Sequence, residues 1–119
     1  IFIDQLINRE EITIYGGQQT RDFVYVKDVA KACMRAIEST KTGVYNISSC
    51  SETSINDLFS ITSLLAGISI EPLKYPLRQG EIQQSVLDNE KAKKEFEWKN
   101  TYSLKEGLKE TISTFQLKI

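Results

Sequence analysis

Two arginines in glycine-containing loops are the residues of this sequence best suited to hold a ligand. Arg21 follows a pair of glycines after a predicted strand, and Arg78 lies in a turn shortly before another glycine. A guanidinium presents N–H donors in a planar fork, which suits carboxylate or phosphate oxygens better than an ammonium does. Two such groups could bracket the adjacent phosphates of a diphosphate. The two loops therefore predict an anion-binding corner.

Two further side chains could complete that corner. Glu81 follows the second arginine closely and could accept hydrogen bonds from sugar hydroxyls. Tyr15 ends the strand before the glycine pair and could offer its main-chain N–H and a ring face to a base. As a half-apolar aromatic side chain, Tyr15 could equally be part of the core.

Each arginine also has a purely structural interpretation. Arg21 could form a local ion pair with Asp22 or Asp28, and Arg78 could pair with Glu81. Exposed pairs of this kind are common and contribute little to stability. The sequence leaves both interpretations open for both arginines.

Composition excludes several classes of function. Lys and Arg (15) nearly balance Asp and Glu (16), so no basic field favours nucleic acid. The chain has no histidine, which excludes a Ser-His-Asp triad, a Cys-His pair and histidine metal sites within it. Cys33 and Cys50 lack the spacing of a disulfide framework or a zinc site, so two free thiols and no metal are expected.

No apolar run approaches the roughly 20 residues that cross a bilayer, and no secretory signal precedes the first element. We therefore expect a cytoplasmic protein that does not contact a membrane. The chain begins at Ile1 within an apolar helical pattern that has no capping residue before it. We expect it to be a piece of a longer protein, with a processed start as the alternative.

The hydrophobic pattern predicts a single α/β or α+β domain over residues 1–119, in which helices and strands alternate. Ser54 with Asp57 and Ser103 with Glu106 have capping spacing, and Trp98 is the expected core aromatic. Helices are predicted over residues 1–9, 27–38, 54–67, 89–96 and 103–115, and strands over residues 11–15, 23–26, 44–48 and 70–75.

Two expected signatures of a complete dinucleotide enzyme are missing. None of the five tyrosines is followed by a lysine four residues later, and no Gly-x-Gly-x-x-Gly turn follows a strand. No credible pair of proton-transfer groups remains. We therefore assign no catalytic residue and no cofactor-binding residue to this chain.

The sequence nevertheless resembles the NAD-dependent epimerase/dehydratase family, the extended short-chain dehydrogenase/reductases that act on nucleotide sugars. Three blocks, which together cover nearly the whole chain, carry the resemblance. They are Ile14-Tyr15-Gly16 with Gln19-Thr20-Arg21-Asp22-Phe23-Val24-Tyr25-Val26-Lys27-Asp28-Val29-Ala30, then Gly43-Val44-Tyr45-Asn46-Ile47 with Thr53-Ser54, and then Arg78-Gln79-Gly80-Glu81-Ile82 with Ser85, Asp88, Lys91-Ala92, Trp98, Ser103-Leu104 and Glu106-Gly107-Leu108.

The resemblance implies the smaller, C-terminal, substrate-binding lobe of a parent whose N-terminal Rossmann lobe holds NAD and the catalytic Tyr-x-x-x-Lys pair. Arg21 and Arg78 would then hold the UDP diphosphate and ribose, Glu81 the nucleoside and Tyr15 the uracil. The parent would transfer hydride from sugar C4 to NAD and return it to the other face, interconverting UDP-glucose and UDP-galactose. Dehydration and decarboxylation are the family's alternative reactions, and a homodimeric parent is left open.

The sequence departs from the family pattern at three places. The turn Gly16-Gly17-Gln18-Gln19-Thr20-Arg21 is one residue shorter than the family's Gly-Asp-Gly-x-Gln-Thr-Arg. Ser48, Cys50 and Glu97 stand where the family has glycines. By itself the chain is expected to be inactive and to bind no cofactor, and a stand-alone nucleotide-binding module is the alternative from another class.

Overall fold

The computed structural model describes residues 1–116, and within them it confirms a mixed α/β architecture of five helices and four short strands. The helices are α1 (Phe2–Ile7), α2 (Val26–Glu38), α3 (Ile55–Ala66), α4 (Glu90–Phe96) and α5 (Leu104–Gln116). The strands are β1 (Thr13–Tyr15), β2 (Thr20–Arg21), β3 (Thr53–Ser54) and β4 (Leu73–Tyr75). The last three residues of the predicted domain lie outside the described range.

The strands form two separate pairs. β1 lies parallel to β4, with Tyr15 opposite Tyr75, and β2 lies antiparallel to β3, with Thr20 opposite Ser54. A parallel pair needs a long crossover, which here runs through α2 and α3. As a result, the glycine turn after β1 comes to lie beside the chain that leaves β4.

The predicted capping residues of α3 and α5 are confirmed, whereas the first helix is shorter at both ends than the predicted residues 1–9. The Ser54 hydroxyl accepts a hydrogen bond from the Asp57 N–H at 3.0 Å, and Gly67 ends α3 in the left-handed conformation. Ser103 and Glu106 form a reciprocal capping box at the start of α5.

Two predicted strands are wrong. Residues 23–26 run without a ladder partner directly into α2, and the short strand lies earlier, at β2. Residues 44–48 have strand composition, but the Val44 and Ser48 carbonyls accept side-chain donors from Lys91 and Asn89. A composition typical of strands shows that a segment can join a sheet, but the segment forms a strand only where a neighbouring strand is available to pair with it.

Two apolar clusters hold the elements together. One packs Leu6, Ile12, Ile14 and Phe59 between α1, β1 and α3. The other joins α2 and α4 through four residues, Ala32, Ala92, Phe96 and Trp98. Trp98 is 3% exposed, so its predicted place in the core is confirmed.

A buried carboxylate ties α2 to the chain that enters α5. Asp28 is fully buried and accepts hydrogen bonds from the N–H groups of Thr101 and Tyr102, both at 2.9 Å, and from the Thr101 hydroxyl at 2.8 Å. Trp98 Nε1 donates to the main-chain carbonyl of Asp28. Burial acts to raise the pKa of Asp28, but these hydrogen bonds outweigh it and hold that pKa below its usual range.

The chain is flat for its length. Its radius of gyration is 16.5 Å and its extents are 49 × 37 × 16 Å, whereas a compact domain of this length has a radius of about 13.5 Å. Its apolar residues therefore bury less surface within the chain than those of an ordinary domain.

Both cysteines are free thiols, as expected, and the structure shows that both are exposed. None of the helices in residues 1–116 has the length and apolar character needed to cross a membrane.

We expect Asp28→Asn to lower the free energy of unfolding by about 2–4 kcal/mol, because the amide NH₂ would face N–H donors in a buried site. Urea unfolding at pH 7 measures the change. Asp4→Asn, an exposed carboxyl at the start of α1, is the control and should change stability by less than about 0.5 kcal/mol.

The difference in unfolding free energy between the wild type and Asp28→Asn should depend on pH. Because the folded-state pKa of Asp28 is lowered from an unfolded value of about 3.9, its contribution is complete above that value and is lost as pH falls through the folded-state pKa. The gap between wild type and Asp28→Asn should be constant from about pH 5 to 7 and should narrow below about pH 4. A gap that widens in acid would contradict this assignment.

Candidate functional site

The structure brings the four predicted site residues to one corner, although Tyr15 and Glu81 are far apart in sequence. Tyr15 ends β1 and Arg21 ends β2, while Arg78 and Glu81 lie on residues 78–84, which we call the strap. The strap starts shortly after β4 and crosses the glycine turn. The chain is fixed just before the strap, at the end of β4, where the Gly16 N–H donates to the Tyr75 carbonyl at 2.8 Å.

Arg21 is held tightly by the strap. Its Nη1 donates to the Thr20 and Ile82 carbonyls, each at 2.7 Å, and its Nη2 lies 3.4 Å from Glu81 Oε1. The two side chains of the ion pair are 29% and 28% exposed. This partial burial leaves the pair reachable by a ligand at the surface.

Neither of the local ion pairs considered for Arg21, with Asp22 or with Asp28, is formed. Asp22 instead accepts hydrogen bonds from the Ser49 N–H at 2.7 Å and the Cys50 N–H at 3.1 Å. Asp28 is buried beside Thr101, on a different element. Arg21 therefore pairs across the fold and not with its neighbours in sequence.

A buried glutamine organises the centre of the corner. Gln19 is 6% exposed; its Oε1 accepts from the Gly17 N–H at 2.6 Å, and its Nε2 donates to the Tyr15 carbonyl at 2.7 Å and to Glu81 Oε1 at 3.2 Å. Glu81 therefore receives donors from both Gln19 and Arg21. This arrangement fixes the orientation of the carboxylate without using all of its acceptor positions.

Arg78 takes a different position from the one expected for a pair with Glu81. Its guanidinium carbon lies 3.9 Å from the centre of the Tyr15 ring, and that ring also stacks on Tyr75, with the ring centres 5.6 Å apart. Arg78 is exposed, and a stacked guanidinium keeps its in-plane donors available. The contact occupies part of the ring surface that the sequence suggested for a base.

The main chain of Tyr15 is better placed than its ring to meet a base. Gly16 donates to β4, and successive residues of a strand direct their N–H groups to opposite edges. The Tyr15 N–H therefore points to the edge of β1 away from β4. The corner thus combines a fixed cation, an exposed cation, an oriented carboxylate and an outward backbone donor.

The shortened glycine turn is closely packed. Gly17 has φ +105° and accepts a hydrogen bond at its carbonyl from the Asn56 N–H. A Cβ at Gly17 would lie 2.3 Å from Asn56 Oδ1. Only glycine fits this approach of the turn to α3.

Two of the three positions where the resembled family has glycine keep a left-handed backbone here. Cys50 has φ 59° and Glu97 has φ 51°. This conformation costs a non-glycine residue roughly 1 kcal/mol. A left-handed backbone is the conformation that glycine adopts at least cost, which is consistent with the glycines that the family has at these two positions.

Sequence reasoning missed Gln19 and Glu52, the latter of which contacts the strap through Gln84. Gln19 lies in the glycine turn, two residues before Arg21 in the sequence, and this position could have marked it as a site residue. Glu52 lies in a polar loop with no local pattern that marks it.

A cavity of about 530 Å³ lies elsewhere, between α1, α5 and residues 23–25. None of the four predicted site residues lines it. Among residues 1–116 no cluster of three or more His, Cys, Asp or Glu side chains could hold a metal ion.

Comparison with known proteins identifies the class. The family model described as GDP-mannose 4,6 dehydratase matches residues 2–111. A protein of Methanocaldococcus jannaschii, provisionally named a UDP-glucose 4-epimerase, is 41% identical over 95% of this chain. Other matched relatives are named UDP-glucuronic acid decarboxylases, from Arabidopsis thaliana.

Solved structures agree. The UDP-glucose 4-epimerase of Thermotoga maritima, determined with UDP-glucose, superposes with a TM-score of 0.93 at 37% identity over 98% of this chain. The UDP-glucuronic acid 4-epimerase of Bacillus cereus, determined with UDP-glucuronic acid and NAD, gives 0.85 at 30% identity over 99%.

The chain belongs to the family of NAD-dependent epimerases and dehydratases that this model describes. It spans 37% of the length of the Methanocaldococcus protein, 38% of the Thermotoga chain and 39% of the Bacillus chain.

Gln19→Glu tests the centre of the corner. The introduced carboxyl would place an acceptor against the Tyr15 carbonyl and the Glu81 carboxylate, so we expect a loss of about 2 kcal/mol in unfolding free energy at pH 7. The deficit should shrink in acid, because a protonated carboxyl regains a donor. Gln18→Glu, at the exposed neighbouring residue, should change stability by less than about 0.5 kcal/mol. Equal losses in both variants would show that Gln19 has no special role.

Proposed function

We propose that this chain is the nucleotide-sugar-binding lobe of a cytoplasmic UDP-sugar 4-epimerase, which in its full-length parent interconverts UDP-glucose and UDP-galactose. The observation that carries the proposal is the meeting of Arg21, Arg78, Glu81 and Tyr15 at one corner. The matched relatives named as UDP-sugar epimerases support the choice of ligand.

In this proposal each residue has a separate role. Arg78 keeps in-plane donors open and would bind the diphosphate, while Arg21, fixed by two carbonyls, would add a second positive charge beside it. Glu81 would accept hydrogen bonds from ribose hydroxyls, and the Tyr15 N–H would meet the uracil. Together they bind and orient the nucleotide, so that the sugar projects away from the corner.

The residues of this chain do not fit a dinucleotide. The glycine turn after β1 leads into β2 and not into a helix N-terminus, so the backbone donors that would hold a pyrophosphate are not assembled there. We therefore place the NAD site and the proton-transfer residues in a second, Rossmann lobe of the parent.

Three features support a lobe over a stand-alone module. The chain covers less than two fifths of the relatives reported above, and its radius of gyration exceeds that of a compact domain. In addition, α2 exposes an apolar stripe along one face. The stripe consists of Val26, Ala30, Cys33, Met34 and Ile37. An apolar face of this kind is typical of a surface covered by another part of a protein.

A second candidate reaction is decarboxylation or dehydration of a UDP-sugar. The matched Arabidopsis decarboxylases favour it, because they align over 99% of this chain. The corner would bind the same UDP group in either case, so the reaction is decided by residues outside it.

The first test is a titration of the chain with UDP, followed by NMR. We expect a weak interaction, with amide shifts first at Tyr15, Arg21, Arg78 and Glu81. Arg78→Ala should weaken binding at least about fivefold, and Arg78→Lys should recover only part, because it keeps the charge without the fork. Lys74→Ala, an exposed cation on β4, should bind as the wild type does. Shifts confined to other surfaces would refute the site.

The second test is turnover. The 119-residue chain with NAD and UDP-galactose should give no UDP-glucose, since the cofactor site and the proton-transfer pair are assigned to the other lobe. A parent that contains both lobes should be active in the same assay. Epimerisation by the 119-residue chain would contradict the assignment of the lobes, while UDP binding without activity in such a parent would favour a binding module.

A further inference from the structure

We propose that Glu52 is a positioning residue that sets the strap, and with it Arg78 and Glu81, in the geometry that binds UDP. The effect on UDP rests on the proposed function, whereas the effect on the strap does not. Glu52 lies in the loop before β3, and no part of the corner's chemistry is assigned to it.

The Glu52 carboxylate bridges two segments. Oε1 accepts from the Thr20 hydroxyl at 2.6 Å, and Oε2 accepts from Gln84 Nε2 at 2.9 Å. Thr20 belongs to β2 and Gln84 ends the strap, so one side chain of a third segment fastens the strap to the strand. The two hydrogen bonds lower the pKa of Glu52, because each of them stabilises its charged form.

Glu52 completes a row of contacts made by three successive strap residues. The Ile82 carbonyl accepts from Arg21 at 2.7 Å, and the Gln83 carbonyl accepts from the Thr20 N–H at 2.8 Å. Gln84 then binds Glu52. Of the three contacts, the one at Gln84 is made by side chains alone and can be removed without altering the backbone.

Arg78 and Glu81 lie on a span of chain that is fixed at both ends. The first end is Tyr75 of β4, whose carbonyl accepts from the Gly16 N–H, and the second end is the row of contacts that finishes at Glu52. Within this span the Glu81 N–H donates to the Arg78 carbonyl at 3.2 Å, so the two residues share one turn. Loosening the second end should therefore change the position of both groups.

The surface position of Glu52 allows its positioning role to be separated from general stability. The residue is exposed, so its removal leaves no cavity. We expect Glu52→Ala to unfold within about 2 °C of the wild type while the strap loosens locally.

The experiment compares amide hydrogen exchange, thermal unfolding and UDP affinity in four forms of the 119-residue chain: the wild type, Glu52→Ala, Glu52→Gln and Glu38→Ala. Glu38 is an exposed carboxyl on α2 and serves as the matched control. In Glu52→Ala the Thr20 amide should exchange about five- to tenfold faster, and UDP should bind several-fold more weakly. Glu52→Gln should show smaller changes in exchange and in UDP affinity than Glu52→Ala, because its amide oxygen can still accept one of the hydrogen bonds. Glu38→Ala should match the wild type.

The proposal would be overturned if the exchange rate of the Thr20 amide in Glu52→Ala were within twofold of the wild-type rate. A large loss of thermal stability in Glu52→Ala would also overturn the proposal, because the residue would then stabilise the whole fold. Unchanged UDP affinity in that variant would overturn it as well. If the wild-type chain does not bind UDP, the proposed function fails, and the exchange measurement alone still decides whether Glu52 sets the strap.

Discussion

The corner depends on one guanidinium that joins two segments 60 residues apart. Arg21 donates to backbone carbonyls on both sides of the gap between β2 and the strap, and Glu81 neutralises part of its charge. A planar fork with several donors can make these contacts at once, which an ammonium cannot do in the same geometry. The cation that the sequence singled out for a ligand therefore also has a structural task, and Arg78 is left as the more accessible charge.

Local signals account for the part of the fold that the sequence predicted. Four of the five helices follow from apolar spacing, and α4 from a run of charged helix formers. The N-terminus of α3 follows from Ser54, its C-terminus from Gly67, and the N-terminus of α5 from the Ser103 with Glu106 box. The four site residues were also found locally, as arginines, an acid and a tyrosine beside glycines. In these cases the residues that carry the signal lie within one turn of the structure they specify.

What the sequence did not predict depends on partners far along the chain. Gln19 reaches across 62 residues to Glu81, and Asp28 is buried because residues 101 and 102 direct donors at it. The strand predicted over residues 44–48 failed for the same reason, since a ladder requires a neighbour that composition cannot supply. Resemblance to a family carried the interpretation further than the residues alone, from an anion-binding corner to a nucleotide-sugar lobe.

The separation of Arg21 and Glu81 along the chain determines when the corner can form during synthesis. During synthesis at roughly 5–20 residues per second, the 60 residues that separate Arg21 from Glu81 take about 3–12 s to appear. Over that interval β2 can have neither the strap nor its ion pair, whereas by its end α1, β1 and α3, which hold the residues of one apolar cluster, have all been made. The corner can thus form only after every residue of that cluster has been made, and the Arg21 guanidinium stays hydrated until then.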